Sequence, residues 1–557
     1  MKGQRIGIDV GGTFTDAVIL EGTRIVASAK RRTTKPRFMD GVLAALDAVM
    51  MGRKTEHIER VTLSTTVITN TVVEHKEEAT DLYIIPGPGR NMLHAFPVTP
   101  IIWSGYTDHR GVMTAPTIPK IENQCGTRRA AISAKFAVRN PQSEENGAKV
   151  LREAGYEQVT KASSLSGRLN FPRRTVSAYF NSAVYGVFGQ FIDSIQQALK
   201  DRGITAPLYI LKADGGALPV MQLKERPVET VFTGPAASVL GMEALETIPQ
   251  EQAVALDIGG TTTDISLWEN SRPLMAHGGV AIREYPSAVR SFMVRSVGIG
   301  GESAVRIGQD GLLTVGPLRL GPSVALGGSV PTLGDALIVL GYASYGDVTA
   351  AKTAIGELAD EWNASHQADS VSPEAIARRI VKQAVQTIRD GIIAAVDEQN
   401  KRPIYVVKDI VEAKTFTPTV GIAVGGTAPS LAKALEEGLG IPVQIPSAAA
   451  VANAVGAAVA KEIVDITVRV ATETHTMVIP ELGIQSRTSC RNLEEVRQRA
   501  VEHLLAYANT LGIADTSYEI TYEEEVPVVK GWQDVFYSIT VCLQLQAGVT
   551  VHVQAED

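Results

Sequence analysis

The chain has 557 residues, too many for one simple core, so roughly two to four domains are expected. Hydrophobic residues make up 45% and charged residues 20%, the balance of an ordinary globular protein. A net charge of −7 argues against a nucleic-acid binder, which carries a basic stripe. Cys125, Cys490 and Cys542 lie far apart with no CxxC pair. That excludes a disulfide framework and a zinc knuckle and fits a reducing cytoplasm. Met1 runs straight into a strand, with no signal-like leader. The most apolar long stretch, residues 448–463, is broken by Asn453 and ends in Lys461-Glu462, so no membrane span is expected.

In chain order, the pattern predicts strands at residues 5–10, 16–20 and 24–30, forming a meander around a Gly- and Thr-rich turn. A helix is predicted over 40–51, then strands at 61–65 and 82–86. Residues 101–124 lack periodicity and read as an irregular excursion. A long helix over 175–202 and a strand at 207–212 lead into Ala213-Asp214-Gly215-Gly216. A further helix starts after Gly234-Pro235, since proline suits a first helical turn. Later elements are helices at 332–343 and 373–400, strands at 404–408 and 420–424, a helix from Pro429, a strand at 443–446 and an Ala-rich helix from Ser447. The last segment alternates strands (466–471, 538–544) with one helix (493–509) and carries the acidic run Glu523-Glu524-Glu525. The division expected is a first lobe over residues 1–205, a second over 206–464 and a small α+β domain over 465–557.

One octapeptide occurs twice. Asp9-Val10-Gly11-Gly12-Thr13-Phe14-Thr15-Asp16 and Asp257-Ile258-Gly259-Gly260-Thr261-Thr262-Thr263-Asp264 differ only at the second and sixth positions and lie 248 residues apart. Each sits between two apolar strands, so the repeat describes two similar lobes rather than a solenoid. Paired glycines remove Cβ atoms and let the turn backbone approach a ligand, with N–H groups aimed at phosphate oxygens. Thr13, Thr15, Thr261, Thr262 and Thr263 add uncharged hydroxyl donors. A carboxylate beside phosphate makes sense when Mg²⁺ lies between, held through water, or when it acts as a base. Asp257 is the expected base or water-positioning group, and Asp9 and Asp257 the expected Mg²⁺ shell. Asp16 and Asp264 close the hairpins, either toward the metal and phosphates or as turn caps. A P-loop is excluded because no GxxxxGK[ST] occurs, and a dinucleotide fingerprint because a strand, not a helix, follows the turn. After the strand at 420–424, Gly425-Gly426-Thr427 is the expected adenine loop. The cofactors expected are therefore ATP and Mg²⁺, and the fold class α/β, two ribonuclease-H-like lobes of the actin/Hsp70/sugar-kinase type with a small α+β domain appended. His277 has no partner at metal-ligand spacing. Glu302 is expected to cap a following helix.

The stretch from Gly7 to Asp16 resembles the opening of the hydantoinase A/5-oxoprolinase family. The resemblance continues through Ser64-Thr65-Thr66-Val67-Ile68-Thr69-Asn70, Lys212-Ala213-Asp214-Gly215-Gly216, Phe232-Thr233-Gly234-Pro235-Ala236-Ala237-Ser238, Ser296-Val297-Gly298-Ile299-Gly300-Gly301 and Pro331-Thr332-Leu333-Gly334-Asp335-Ala336. It covers roughly residues 5–460. Glu302 departs from it, standing where the family has glycine. The resemblance implies ATP-dependent activation of an amide, lactam or cyclic imide carbonyl, with a ketone carboxylase subunit, a small-molecule kinase and a regulatory or chaperone-like ATPase as alternatives. It implies a small-molecule substrate and a B-type partner subunit, a homo-oligomer, or both.

Overall fold

The computed structural model describes residues 3–33, 38–89, 93–246, 248, 251–308, 311–366, 370–402, 415–530 and 534–554. The strand expected at 404–408 lies outside the described residues.

Two sheets repeat one plan. In the first, Gln4–Val10 pairs antiparallel with Phe14–Glu21, which pairs with Arg24–Arg32. On its other side Gln4–Val10 pairs parallel with Ile58–Thr65, followed by Leu208–Leu211 and Ala217–Pro219. In the second, Ala253–Ile258 pairs antiparallel with Thr263–Glu269 and parallel with Val420–Val424, which is followed by Val443–Gln444. The central strands are buried on both faces, and their sequences are accordingly near-continuous apolar runs. The expected boundary at residue 205 falls just before Leu208–Leu211, whose parallel pairing with Ile58–Thr65 puts it in the first sheet.

The region expected to be irregular, residues 101–124, is partly ordered: Ser104–Thr107 and Met113–Ile118 pair antiparallel, and Ile101–Ile102 is the edge of a parallel four-stranded sheet that runs Gln158–Lys161, Arg129–Ala134, Asp81–Ile85, Ile101–Ile102. Behind it lies the long helix Phe171–Asp201, whose start is set by Asn170, which accepts from the Arg173 N–H, and by Pro172 in the first turn. In the second lobe, Val348–Ser365 and Pro373–Asn400 pack with Leu333–Val339.

The lobes meet through two small-residue helices, Thr233–Leu245 and Ala452–Val459. A Cβ on Gly7 would stand 2.0 Å from the Ala454 carbonyl, one on Gly241 2.1 Å from that of Ala452, and one on Gly456 2.0 Å from that of Ala237. A side chain at Gly241 or Gly456 pushes the two helices apart, and one at Gly7 pushes helix Ala452–Val459 off the first sheet, so the Ala- and Gly-rich composition is a packing requirement.

Residues 465–545 build a separate antiparallel sheet: Ile484–Arg487, Thr476–Ile479, Asp465–Ala471, Asp534–Leu545, Tyr518–Lys530, with helix Leu493–Thr510 packed on it. Its inward residues, among them Ile466, Val468, Ile539 and Val541, belong to the same buried cluster as Ile6, Leu63 and Phe180 of the first lobe. The domain therefore shares a core with that lobe. Among the described residues no helix is long and apolar enough to cross a membrane.

Candidate active site

The two glycine turns face each other. Thr13 Oγ1 and Thr261 Oγ1 are 3.3 Å apart. Each turn closes in the same way: Gly11 N–H donates to the Phe14 carbonyl and Gly259 N–H to the Thr262 carbonyl, both at 3.0 Å. An added Cβ on Gly12 meets nothing within 4 Å, leaving its backbone open on the cleft side. Gly12 and Thr262 are exposed, Gly11, Thr13, Gly260 and Thr261 half-buried. Thr15 and Thr263 are turned inward. Thr15 is fully buried with its hydroxyl 3.1 Å from that of Thr33, and Thr263 donates to the Ile299 carbonyl at 2.7 Å. Thr15 and Thr263 were both expected to offer their hydroxyls to phosphate. The strands' two-residue period points them into their lobes instead.

Asp9 and Asp257 end equivalent strands and are joined by Asn453, whose Nδ2 donates to Asp9 Oδ2 at 3.4 Å and to Asp257 Oδ2 at 3.1 Å. Asn453 is the residue that sequence reasoning passed over, since it looked like a break in an apolar stretch. On helix Ala452–Val459 it is the polar group that helix brings to the seam between lobes. Burial pushes the Asp9 carboxyl up to about 7; the charges of Asp16 and Asp257 add to this, against hydrogen bonding from Ser64 and Asn453. Burial likewise raises Asp257, against the pull of Asn453. Asp264 is raised to about 7 by burial and the Asp257 charge, with Ser296 opposing. Asp16 is raised by burial despite Lys30, whose Nζ donates to it at 2.7 Å and to the Ala450 carbonyl at 3.0 Å.

Buried Oδ1 atoms of Asp9 and Asp16 and Oε1 of Glu302 have no hydrogen-bond partner. Orphaned acceptors and mutually repelling carboxylates are what a divalent cation relieves. Among the described residues, however, no three His, Cys, Asp or Glu side chains are grouped to hold a metal directly. The donor set fits a hydrated Mg²⁺ touched through water.

The second hairpin is buttressed by two loops. Gly301 N–H donates to the Gly259 carbonyl at 3.0 Å and Glu302 N–H to the Gly260 carbonyl at 2.6 Å. Gly425, in the left-handed region at φ 94°, lies so close that a Cβ would be 2.5 Å from the Ile258 carbonyl. Thr427 Oγ1 donates to the Gly259 carbonyl at 3.2 Å. Gly425, Gly426 and Thr427 thus lie against the second hairpin and open helix Ala428–Leu439. Glu302 does not cap a helix. The strand Val305–Ile307 follows it, and its carboxylate is buried against Gly260 and takes a hydrogen bond from Arg319 Nε at 2.6 Å.

Two lobes of one plan with facing glycine hairpins define the ribonuclease-H-like ATPase class of fold. The hydantoinase/oxoprolinase sequence profile matches residues 174–465, and that of the hydantoinase/oxoprolinase N-terminal region matches residues 5–97. The chain belongs to the hydantoinase/oxoprolinase family. It is 27% identical over 391 residues to the caprolactamase subunit alpha of Pseudomonas jessenii, covering 61% of this chain and 55% of that one. It is 26% identical over 392 residues to the acetophenone carboxylase gamma subunit of Aromatoleum aromaticum, covering 60% and 53%. The chain spans about half the length of the curated relatives it matches. In fold it resembles the crystal structure of the ATP-dependent caprolactamase from Pseudomonas jessenii, with a TM-score of 0.70 at 20% identity over 99% of this chain and 89% of that one. Nucleotide-free acetone carboxylase gives 0.69 at 16% identity, over 100% and 90%.

Proposed function

We propose that this chain is the ATP-using subunit of an enzyme that activates an amide, lactam or cyclic imide carbonyl for hydrolysis. The observation that carries this is the bridge from Asn453 to Asp9 and Asp257 at the base of two facing glycine hairpins. The backbones of Gly11, Gly12, Thr13, Gly259, Gly260, Thr261 and Thr262 would cradle the phosphates, and Gly425, Gly426 and Thr427 the adenine. Asp9 and Asp257, with Asp16 and Asp264 behind them, would hold Mg²⁺ through water; the ion would neutralise phosphate charge. Transfer of the γ-phosphoryl group to the substrate carbonyl oxygen would turn a poor electrophile into one with a good leaving group. Such transfers are catalysed mainly by positioning and charge neutralisation. Asp257 is assigned as the group that orients or deprotonates the attacking species. That two relatives are a caprolactamase alpha subunit and an acetophenone carboxylase gamma subunit supports a multi-subunit enzyme, and we infer a B-type partner. A second reading, activation of a ketone for carboxylation, draws support from the acetophenone carboxylase relative.

The test is ATP turnover by the full chain, with and without a co-expressed partner subunit, against hydantoins, lactams and ketones. Turnover stimulated by a cyclic amide is the expected result. Stimulation by ketones with bicarbonate alone would favour the second reading, and a stable phosphorylated product would make the protein a kinase.

A further inference from the structure

Strand Asp81–Ile85 runs out into Pro86-Gly87-Pro88-Gly89, and Arg129–Ala134 into Lys135-Phe136. The two strands are parallel neighbours with Ile85 beside Ala134, and Ile102 lies beside Ile84 on the other side. All three strands therefore end at one edge of the four-stranded sheet. Ligands of open α/β sheets bind outside the carboxyl ends of the strands. There a cavity of about 500 Å³ lies against the first turn of helix Phe171–Asp201, the size of a small-molecule site. Among the described residues, none from either glycine hairpin lines it. Ile102, Lys135, Phe136 and residues 169–172 of its wall lie between the two stretches that the family profiles match, so the family assignment says nothing about it.

The walls are mostly apolar, with Pro86, Pro88, Ile102, Phe136, Leu169 and Phe171 among them. Phe136 and Asn170 hold φ of 62° and 121°, left-handed backbone that is strained for residues with a Cβ. The charges in the wall are Lys135 and Arg174, and no described carboxylate lines the cavity. Arg174, 1% exposed, donates from Nη1 to the Arg168 carbonyl at 2.8 Å and from Nη2 to that of Ala134 at 3.3 Å, while its buried Nε has no partner. Its counter-charge is the buried Glu144, which accepts from the N–H groups of Ala134 and Ser163, each at 2.8 Å. Arg174 and Glu144 cancel, and half-buried Lys135 is the charge left over. Its Nζ lies 5.5 Å from the centroid of the Phe136 ring and 4.0 Å from the place of a Cβ on Gly89. Among the described residues it makes no hydrogen bond or ion pair. The helix adds the positive end of its dipole at Phe171. Apolar walls with one positive edge are complementary to an organic anion.

We propose that this cavity is an accessory ligand site that binds an apolar-bodied monocarboxylate of the aryl-alkanoic kind. The body lies against the prolines and Phe136, and the carboxylate meets the Lys135 ammonium. The site is separate from the nucleotide cleft and does not depend on the carbonyl-activation reading.

The experiment measures binding to the full chain by calorimetry, with and without Mg·ADP. The probes are 3-phenylpropionate, its uncharged amide 3-phenylpropanamide, and acetate. The acid is expected to bind at least about tenfold more tightly than the amide, the scale of one hydrogen bond to a charged group. It should exceed acetate, which lacks the apolar body, by at least about tenfold as well. Mg·ADP should leave its affinity unchanged. Lys135→Gln is expected to bring the acid down to the level of the amide and to leave the amide where it was. Leu169→Asp, which sets a negative charge on the exposed wall, should weaken the acid more than the amide. Melting temperatures equal to the parent's show that both variants are folded. The proposal is overturned if acid and amide bind alike, if acetate binds as well as the acid, if none of the probes binds, if Mg·ADP displaces the acid, or if either variant keeps the parent's preference for the acid.

Discussion

In the first hairpin Asp16 faces Lys30 at 2.7 Å, whereas in the second the equivalent Asp264 has the Ser296 hydroxyl and the repelling charge of Asp257. The first turn is held from outside by Thr33, whose hydroxyl donates to the Gly11 carbonyl at 2.9 Å and whose N–H donates to that of Thr13 at 2.9 Å. The second is held by the backbone of Gly301 and Glu302 and by Thr427. One octapeptide thus yields the same strand–turn–strand geometry in two electrostatic settings. Geometry follows from the local sequence. Charge state follows from what the rest of the chain brings alongside.

If the proposed roles are right, the largest effects come from the carboxylates at the strand ends. Asp257→Ala and Asp9→Ala are each expected to lower ATP turnover by about 10²-fold or more, the scale of lost acid–base chemistry. ADP binding, read by thermal shift, should change far less. Near-normal turnover in both would remove them from the mechanism. A pronounced loss in only one would show that the lobes divide the work unequally.

The buttressing difference predicts an asymmetry in stability. A Cβ on Gly300 would come within 2.6 Å of the backbone at Gly260 and Thr261, so Gly300→Ala is expected to cost about 1–3 kcal/mol by overpacking. Gly12→Ala meets nothing within 4 Å and should leave stability within about 0.5 kcal/mol. Its methyl group stands in the open cradle, so the Mg·ATP thermal shift should shrink instead. Urea unfolding with and without nucleotide separates the two. Equal destabilisation by both changes would mean that the hairpins are held alike.

Asn453 ties the two halves together, and its loss tests whether they act as one site. Asn453→Ala removes the donor shared by Asp9 and Asp257. Turnover is expected to fall by about tenfold, the scale of one hydrogen bond to a charged group. Asn453→Gln, which keeps the amide but not its reach, should fall between. Full activity in the alanine variant would make the bridge incidental.

The hairpin strands, the helix Pro373–Asn400 and the strand Val420–Val424 were legible in the sequence because their apolar runs and turn residues are local signals. The strand Arg129–Ala134, with the sequence RAAISA, and the strand Gln158–Lys161 were not. Both are short and gain their β structure from pairing across the parallel sheet rather than from propensity. The helix Val348–Ser365 was missed as well. The paired aspartates and glycines of the candidate site were readable as a repeat. Asn453 and Lys30 were not, because their significance arises only when residues about 200 and 400 positions away meet them. The same holds for Glu302: read locally, a glycine loop suggests a cap, whereas in the fold its partner is Arg319.

The smallest effect expected is also the most direct test of the electrostatic contrast. Asp264 and Asp9 are pushed up to about 7, against about 3.9 for an unfolded aspartate. The folded state therefore favours the protonated carboxyl. Its stabilising contribution is full below pH about 4 and is lost as pH rises through about 7, because the unfolded chain ionises freely while the folded one resists. Asp264→Asn is uncharged at every pH. It should melt higher than the parent at pH 8 and converge with it only below pH about 4, where the unfolded aspartate is protonated too. Asp16 is raised by burial as well, but Lys30 pulls against it, so Asp16→Asn should gain less at pH 8 than Asp264→Asn, because it also leaves Lys30 without its carboxylate. Adding Mg·ATP should close the gap between the parent and Asp264→Asn, since a bound cation relieves the same repulsion. Parallel pH–melting curves for the parent and both variants would show that the two hairpins, alike in backbone, are alike in charge as well, and the contrast drawn from Lys30 would fail.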